Sequence, residues 1–257
     1  MATIISFASQ KGGVGKTTSA VHLASALAIG GYRVLLVDLD PQGSVKSLLG
    51  VRAKIDRGTL DLYCKADVAL KDLLIPSGYE NLDLILSNMD HLIYEQEVTK
   101  AAGDYHYLNQ WLDENARSNY DFIILDAPAS TGPISINALV ASDLIIVPLQ
   151  CEALAIKSLK RFLTAFNDLQ KNIAPNLRIA GILLTMYDRN IPVHRLVCKQ
   201  VYTALDDSVF QTIIPKCTHI LEASTVGKDV INRTLSSIGA TGYIRLAHEL
   251  LDRFNLR

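Results

Sequence analysis

Glycine, lysine and threonine residues with the spacing of a phosphate-binding loop stand near the start of the chain, where residues 9–18 read Ser-Gln-Lys-Gly-Gly-Val-Gly-Lys-Thr-Thr. Glycines let a loop turn tightly and point successive backbone N–H groups inward, where they can bind phosphate oxygens. Lys16 can then reach the β- and γ-phosphates of a nucleotide, and the Thr17 hydroxyl can bind Mg²⁺. We therefore predict that ATP and Mg²⁺ bind here, through Lys11, Gly12, Gly13, Val14, Gly15, Lys16, Thr17 and Thr18.

The loop departs from the usual pattern G-x-x-x-x-G-K-[ST] at one position, because Gln10 stands where the first glycine is expected. A flexible glycine turn is the alternative, but the loop lies between a predicted strand and a predicted helix, as the motif requires. Lys11 is a second lysine that the loop's own nucleotide does not need. It is either a solvated surface residue or a cation that neutralises phosphate charge across a subunit interface, as an arginine finger supplied in trans does.

Carboxylates follow two other apolar runs: Asp38 and Asp40 come after residues 34–37, and Asp126 comes after residues 122–125. A carboxylate just beyond the carboxyl end of a strand faces the ligand crevice of a doubly wound sheet, where it can hold a metal or orient an attacking water. Asp126 matches the aspartate that a buried strand places beside Mg²⁺. For Asp38 and Asp40 a turn or a helix cap is the alternative, and the neighbouring phosphate loop favours the functional role.

Short apolar runs alternate with amphipathic segments along the chain, starting at residue 3. The apolar runs predict strands at residues 3–8, 34–37, 82–86, 122–125, 144–148, 179–185 and 210–215. The amphipathic segments predict helices at residues 17–29, 67–74, 105–117, 153–173 and 241–254. This alternation indicates an α/β fold with a single doubly wound, mostly parallel β-sheet flanked by helices. We find no linker or internal repeat, so we expect residues 1–257 to form one domain.

Composition limits the classes of protein and of site. The 257 residues are 49% hydrophobic and 20% charged, which suits a sizeable core, and the net charge of −1 argues against a globally basic surface while allowing a local basic patch. The four cysteines, Cys64, Cys151, Cys198 and Cys217, form no C-x-x-C pair, which argues against zinc and iron–sulfur sites. The sequence has neither a signal peptide nor a run of about 18 apolar residues, so we expect a cytoplasmic protein without integral membrane association.

The run Lys-Gly-Gly-x-Gly-Lys-Thr-Thr at residues 11–18 resembles the deviant phosphate-binding loop of the ParA/MinD superfamily of ATPases. The resemblance implies the P-loop NTPase fold, with the first lysine of the motif, here Lys11, contacting the nucleotide of the partner subunit in an ATP-sandwich dimer. The segment that begins at Asp38 is similar to switch I of the family, in which the second aspartate, here Asp40, serves hydrolysis and Asp38 supports the metal shell. The resemblance thus implies a catalytic set of Lys11, Lys16 and Asp40 and a metal-binding set of Thr17, Asp38, Asp40 and Asp126.

Four segments in the second half of the chain look like those of ParA-type partition ATPases: residues 147–152, 183–188, 213–216 and 221–224. Such proteins form homodimers on ATP binding, bind nucleoid DNA without sequence preference, and release it when a ParB-like partner on a plasmid, chromosome or protein cargo stimulates hydrolysis. The resemblance also places Met186 and Pro215 on the adenine side, with ordinary packing at strand ends as the alternative. Larger partition ATPases carry an N-terminal helix-turn-helix, for which we expect no room here.

Non-specific DNA binding requires clustered Lys and Arg side chains that displace counterions. The candidates are Arg189, Arg195, Lys199, Lys216, Lys228, Arg233 and Arg245, and a scattered solvated surface is the alternative. Lys216 and His219 stand where the family usually has arginines, so we expect weaker or more salt-sensitive DNA binding. Residues 127–132 also differ from the family's switch II, which usually continues with two prolines and then Ser-Leu-Gly.

Two other classes of ATPase are alternatives. A MinD-type membrane-cycling ATPase would need an amphipathic C-terminal extension, for which the only candidate is the stripe of Ala247, Leu250, Leu251 and Phe254. We expect that stripe to belong to a core helix, because the chain stops where a ParA domain normally stops. A metallocluster carrier of the nitrogenase iron-protein type would need paired cysteines at its interface, and no motif surrounds Cys151 or Cys198.

Overall fold

The computed structural model describes residues 1–65 and 68–256, apart from the side chain of Ser224. Seven strands form one sheet in this part of the chain: β1 (Thr3–Phe7), β2 (Val34–Asp38), β3 (Ile75–Pro76), β4 (Leu82–Ile85), β5 (Phe122–Asp126), β6 (Leu144–Gln150) and β7 (Arg178–Thr185). The strand order is β3-β4-β2-β5-β1-β6-β7, and every neighbouring pair is parallel except β3 with β4. The prediction of a single, mostly parallel sheet is confirmed.

Helices lie on both faces of this sheet. They are α1 (Lys16–Ile29), α2 (Ser44–Leu49), α3 (Thr59–Cys64), α4 (Leu70–Leu73), α5 (Leu92–Ala101), α6 (Tyr107–Asn115), α7 (Pro133–Ala141), α8 (Ala155–Asn172), α9 (Pro192–Leu205), α10 (Thr218–Thr225), α11 (Val230–Arg233) and α12 (Ile238–Phe254). Among the described residues, no helix combines the length and the apolar character needed to span a membrane.

Successive residues of the central strands point to opposite faces, and each face is covered by its own helices. On one face, Ile5 and Phe7 of β1 share a core with residues of α1, α2, α11 and α12. On the other face, Ile4 shares a core with α3, α5, α6 and α7, and Ile145 of β6 shares one with α8 and α9. Because both faces bury apolar side chains, the strands are continuous apolar runs rather than alternating ones.

The last helix, α12, covers the sheet. Ala247 and Leu250 lie in the core, and Leu251 and Phe254 pack against it while partly buried. The expectation that this stripe belongs to a core helix is confirmed. It therefore does not offer a free apolar face for a membrane surface.

The prediction of a strand at residues 210–215 is wrong. Two isolated bridges take the place of a strand. Val209, just before this stretch, pairs with Ile182 of β7, and Pro215 pairs with Tyr187 in the loop after β7. The backbone N–H groups of Gln211 and Thr212 donate to the carboxylate oxygens of Glu249 on α12, at 2.7 and 2.8 Å. The Phe210 and Ile214 N–H groups do donate to β7 carbonyls, at 3.0 and 2.9 Å, but the Thr212 N–H between them goes to a side chain, so a continuous backbone ladder does not form.

Several helices are absent from the sequence-based prediction, namely α2, α3, α5, α7, α9 and α11. The helix predicted at residues 67–74 is found only as α4, and Asp67 lies outside the described residues. No residue of α7 is exposed, so this helix lacks the polar face by which amphipathic helices are recognised.

Candidate nucleotide-binding site

The phosphate-binding loop connects β1 to α1 at the edge of the sheet where β1, β2 and β5 end. Gly13 and Gly15 have φ angles of 75° and 88°, in the left-handed region that favours glycine. Val14 is buried, and the Thr185 hydroxyl at the end of β7 donates to the Val14 carbonyl at 2.9 Å. These contacts hold the loop against the sheet and leave Gly12 and Gly13 exposed toward the open side.

Lys16 is buried at the first position of α1, which is uncommon for a lysine. Burial lowers the pKa of its ammonium group, while the carboxylates of Asp126 and Asp40 raise it. The amino end of a helix also carries partial positive charge and free N–H groups. A lysine at this position therefore builds a site for an anion such as a phosphate.

Asp38 and Asp126 are register partners on β2 and β5, and both side chains are fully buried. Neither carboxylate oxygen of Asp126 accepts a hydrogen bond within the described residues, although the Thr17 hydroxyl lies near enough to favour the ionised form. The pKa of Asp126 is raised to about 7, mainly by burial and also by the nearby Asp40, while Thr17 and Lys16 partly oppose the rise. Buried acceptors without partners are costly, and oxygen ligands of this kind suit Mg²⁺. Asp126 and Thr17 thus fit a magnesium site.

Asp38 and Asp40 differ in their surroundings. Asp38 accepts the Asp40 N–H through Oδ1 at 3.1 Å and the Val45 N–H through Oδ2 at 3.3 Å. Burial and the nearby Asp126 raise the pKa of Asp38 well above its usual value. Asp40 is partly exposed, accepts the Gln42 N–H at 3.0 Å, and lines a cavity of about 400 Å³ next to the loop after β5. Asp38 therefore shapes the loop, and Asp40 presents a carboxylate to the open site.

Lys11 forms an ion pair with Glu152 of the same chain. Glu152 lies just after β6, which is the neighbour of β1 in the sheet, so the two loops meet at one edge. In this structure Lys11 is therefore not an unpaired surface lysine, and its contact with a partner's nucleotide stays a prediction.

Met186 and Pro215 lie close to the phosphate-binding loop. Met186 has a φ of 52°, and its Cε lies 3.6 Å from the position of a Cβ built on Gly15. Pro215 forms an isolated bridge with Tyr187, the residue after Met186. Met186 thus stands beside the loop and Pro215 beside the residue that follows Met186, and contact of either with adenine stays a prediction.

Comparisons with known proteins identify the family of this chain. A model of the AAA domain family matches residues 2–179. The chain is 38% identical over 251 residues to the sporulation initiation inhibitor protein Soj of Bacillus subtilis, covering 97% of this chain and 98% of Soj. It is 34% identical over 251 residues to the chromosome partitioning protein ParA of Caulobacter vibrioides, covering 97% and 94%. The chain belongs to the ParA/Soj family.

A solved structure supports the fold and the ligands of this ParA/Soj family member. The cobyrinic acid a,c-diamide synthase of Mycobacterium smegmatis, with ADP and magnesium bound, matches with a TM-score of 0.83 at 31% identity, covering 99% of this chain and 96% of that chain. The predicted fold class is confirmed. That relative holds the two kinds of ligand, nucleotide and magnesium, for which the loop, Thr17 and Asp126 provide suitable groups.

The basic residues predicted to bind DNA fall on more than one part of this ParA/Soj chain. The Arg195 guanidinium donates to the Arg189 carbonyl, and Lys199 is exposed one turn further along α9. The Lys216 N–H donates to the Tyr187 carbonyl at 2.8 Å, which brings Lys216 to the same loop. The remaining candidates lie on α12 and around α11: Arg245, Lys228 and Arg233.

Two further residues, Thr185 and Glu152, belong to none of the sets of site residues predicted from the sequence. Each stands at or just beyond the carboxyl end of a strand, as Asp126 does, and that position was the available signal. Their partners could not be read from the sequence, because the Val14 carbonyl lies 171 residues from Thr185.

Proposed function

We propose that this protein is a cytoplasmic partitioning ATPase that acts as one domain and binds ATP with Mg²⁺. The observation that carries the proposal is the fully buried carboxylate of Asp126, which accepts no hydrogen bond within the described residues and lies near Thr17 and Lys16. This arrangement suits a divalent cation bound to Asp126 and Thr17, next to phosphates bound by Lys16 and the loop. The solved relative with ADP and magnesium supports the same ligands.

Hydrolysis then depends mainly on positioning and charge. Asp126 and Thr17 would hold Mg²⁺, which would neutralise charge on the phosphates when bound. Lys16 and the N–H groups of the loop hold the phosphate oxygens. Asp40 is partly exposed beside them and orients the attacking water toward the γ-phosphate.

A homodimer formed on ATP binding gives Lys11 a function that its own nucleotide does not require. In the single chain the ammonium group is paired with Glu152. In the dimer it leaves Glu152 and contacts the phosphate oxygens of the partner's ATP. Several phosphate charges attract a cation more strongly than one carboxylate does, so bound ATP favours the exchange.

The ATP dimer binds nucleoid DNA without sequence preference, and a ParB-like partner on a plasmid, chromosome or protein cargo stimulates hydrolysis and release. The group formed by Arg189, Arg195, Lys199 and Lys216 supports the DNA contact, because these cations surround one loop beyond β7. The family relationship to chromosome-partitioning proteins supports the same assignment.

Size-exclusion chromatography of the Asp40→Ala variant with ATP and Mg²⁺, with and without DNA, tests the proposal. We expect this variant to bind ATP, to elute as a dimer, and to co-elute with DNA, because only the water-orienting carboxylate is lost. The Lys16→Ala variant should remain monomeric, since the loop loses its main phosphate-binding cation. Asp56→Ala, at an exposed position outside the site, is the matched control and should hydrolyse ATP as the wild type does.

Two outcomes contradict specific assignments. Wild-type turnover by Asp40→Ala would remove Asp40 from the mechanism, and unchanged nucleotide affinity of Lys16→Ala would refute the phosphate-binding loop. If the protein sediments with liposomes in an ATP-dependent manner and does not co-elute with DNA, it is a MinD-type membrane-cycling ATPase instead.

A further inference from the structure

A basic crevice lies between the end of α2, the turn after β3 and the loop that joins α10 to α11. It has a volume of about 430 Å³ and is lined by Lys46, Arg52 and Lys228. No acidic side chain lines it among the residues that the structure describes. The larger cavity beside α3 and α5 differs, because lysines and carboxylates are mixed there. A crevice with only positive charge on its walls selects anionic ligands.

The charges of the crevice are available to a ligand. In the described part of the chain, none of its three cations is in an ion pair. In the larger cavity, by contrast, Lys54 and Lys65 are paired with aspartates. Arg52 and Lys228 are exposed, and Lys46 is half-buried. An anion entering the crevice therefore does not have to displace a carboxylate.

Part of the lining is bare backbone. Gly50 and Gly227 both have a φ of 64°, and they lie so close that a Cβ on either would overlap the backbone of the other. Gly78, with a φ of 83°, faces open space on the third side. The first two glycines let α2 and the loop before α11 meet backbone to backbone, and Gly78 leaves its side of the crevice open to an anion.

Two walls of the crevice are hydrogen-bonded to the nucleotide-binding site. On α2, the residue before Lys46 is Val45, whose N–H donates to Asp38. Beyond Lys228, at the start of α11, the Val230 N–H donates to Nε2 of His22 at 3.0 Å, and Nδ1 of His22 lies 2.6 Å from the carbonyl of Thr18 in the phosphate-binding loop. Lys46 and Lys228 thus stand close in the chain to groups that are hydrogen-bonded to the nucleotide-binding site.

We propose that this crevice binds backbone phosphates of DNA and that ATP binding adjusts its two walls for that contact. The inference rests on the proposed function, which it deepens by locating a DNA-binding surface that includes Lys46 and Arg52. Lys228 is one of the DNA-binding candidates predicted from the sequence, whereas Lys46 and Arg52 are not. The crevice is separate in the chain from the Arg189 group beyond β7.

Fluorescence anisotropy with a random-sequence DNA duplex and an ATP analogue, over a series of salt concentrations, tests the proposal. The double variant Arg52→Gln, Lys228→Gln should bind several-fold more weakly to every sequence. Its plot of log affinity against log salt should be shallower by about 1.8 per subunit that touches DNA, because each lost phosphate contact removes about 0.9. ATP-dependent dimerisation and basal ATPase activity should not change. The matched control is Lys157→Gln, Lys160→Gln, which removes two exposed lysines from α8.

The possible failures are distinguishable. If the wild type binds DNA and the crevice variant has the affinity and salt slope of the α8 control, the crevice is not a DNA site and the proposed function stands. If the wild type with the ATP analogue does not bind DNA, the DNA-binding part of the proposed function fails together with the crevice. A third experiment titrates inorganic phosphate by calorimetry into protein that is saturated with the ATP analogue. If the wild type binds phosphate saturably, and the double variant loses this binding but keeps its DNA affinity, the crevice is a site for a small phosphate compound and not for DNA.

Discussion

Lys11 and Glu152 are joined in an ion pair within one chain, between loops that follow the neighbouring strands β1 and β6. The two side chains are 37% and 34% exposed, so water screens their attraction in part. The lysine proposed to reach a second subunit's nucleotide is therefore held by its own subunit. In the proposed ATP dimer Lys11 would leave Glu152, so the free energy of the pair would oppose dimerisation.

Substitution of Glu152 should strengthen the dimer. In Glu152→Gln the amide keeps the size of the side chain and removes the charge, so Lys11 is released at lower cost. Partly exposed ion pairs contribute about 0.2–1 kcal/mol each, and a symmetric dimer releases two of them. We therefore expect the dissociation constant of the dimer to fall by up to about thirtyfold. Analytical ultracentrifugation with a non-hydrolysable ATP analogue measures this dissociation constant.

The Lys11→Ala variant should form a weaker dimer, while its monomer should bind ADP as the wild type does. Equal losses of dimerisation and of ADP binding would mean that Lys11 acts in cis.

Asp126→Asn should separate the stability of the protein from its response to ligand. Without Mg²⁺ and nucleotide, at pH 8, the variant should unfold at the same temperature as the wild type or higher, because a buried carboxylate with a pKa of about 7 is ionised there at a cost. MgATP at a free concentration one hundred times its dissociation constant should stabilise the wild type by about 2.7 kcal/mol and the variant far less. Asp121→Asn, at the other end of β5, is the control and should respond to MgATP fully; an equal response of Asp126→Asn would exclude its role in metal binding.

Thr185→Val should loosen the phosphate-binding loop. The change keeps the shape of the side chain and removes the hydroxyl that donates to the buried Val14 carbonyl. An unpaired buried carbonyl costs about 1–3 kcal/mol, and a less ordered loop should also bind ATP more weakly. Urea unfolding and calorimetric titration with ATP measure the two effects. Thr185→Ser restores the hydroxyl and should recover both; wild-type stability and affinity in Thr185→Val would show that the contact has no such function.

His22 should make stability depend on pH. The ring is fully buried against Tyr243, accepts the Val230 N–H, and so carries its proton on Nδ1 facing the Thr18 carbonyl. Burial lowers the pKa of His22, and the Thr18 and Asp229 contacts only partly oppose this. Below a pH of about 6.5 the unfolded chain takes up a proton that the folded chain resists. The free energy of unfolding should therefore fall by up to about 1.4 kcal/mol per pH unit from this residue.

Urea unfolding between pH 7.5 and 5.5 tests this dependence. The His22→Gln variant should be less stable at pH 7.5 and should lack the part of the pH dependence that comes from the histidine. His219→Gln, at an exposed position, should keep the wild-type pH dependence. A His22→Gln profile parallel to that of the wild type would show that the ring does not resist protonation.

Local sequence is sufficient to predict the elements that are defined by neighbouring residues. The apolar run of β1, the glycine-rich loop and the start of α1 are contiguous, so their local preferences suffice to predict a phosphate-binding site. The same holds for the carboxylates that end β2 and β5. Because parallel strands bring their carboxyl ends to one edge of the sheet, this rule predicts that Asp38 and Asp126 lie close together.

Tertiary structure decided the features that depend on partners far away in the chain. Residues 210–215 have the composition of a strand, but Glu249 takes two of their N–H groups after α12 has packed against the sheet. The pairing of Lys11 with Glu152 and the crevice between α2 and the loop before α11 likewise need the whole sheet to be assembled. A residue's own neighbours set its conformational preference, whereas its charge partners and hydrogen-bond partners are set by which surfaces the packed core brings together.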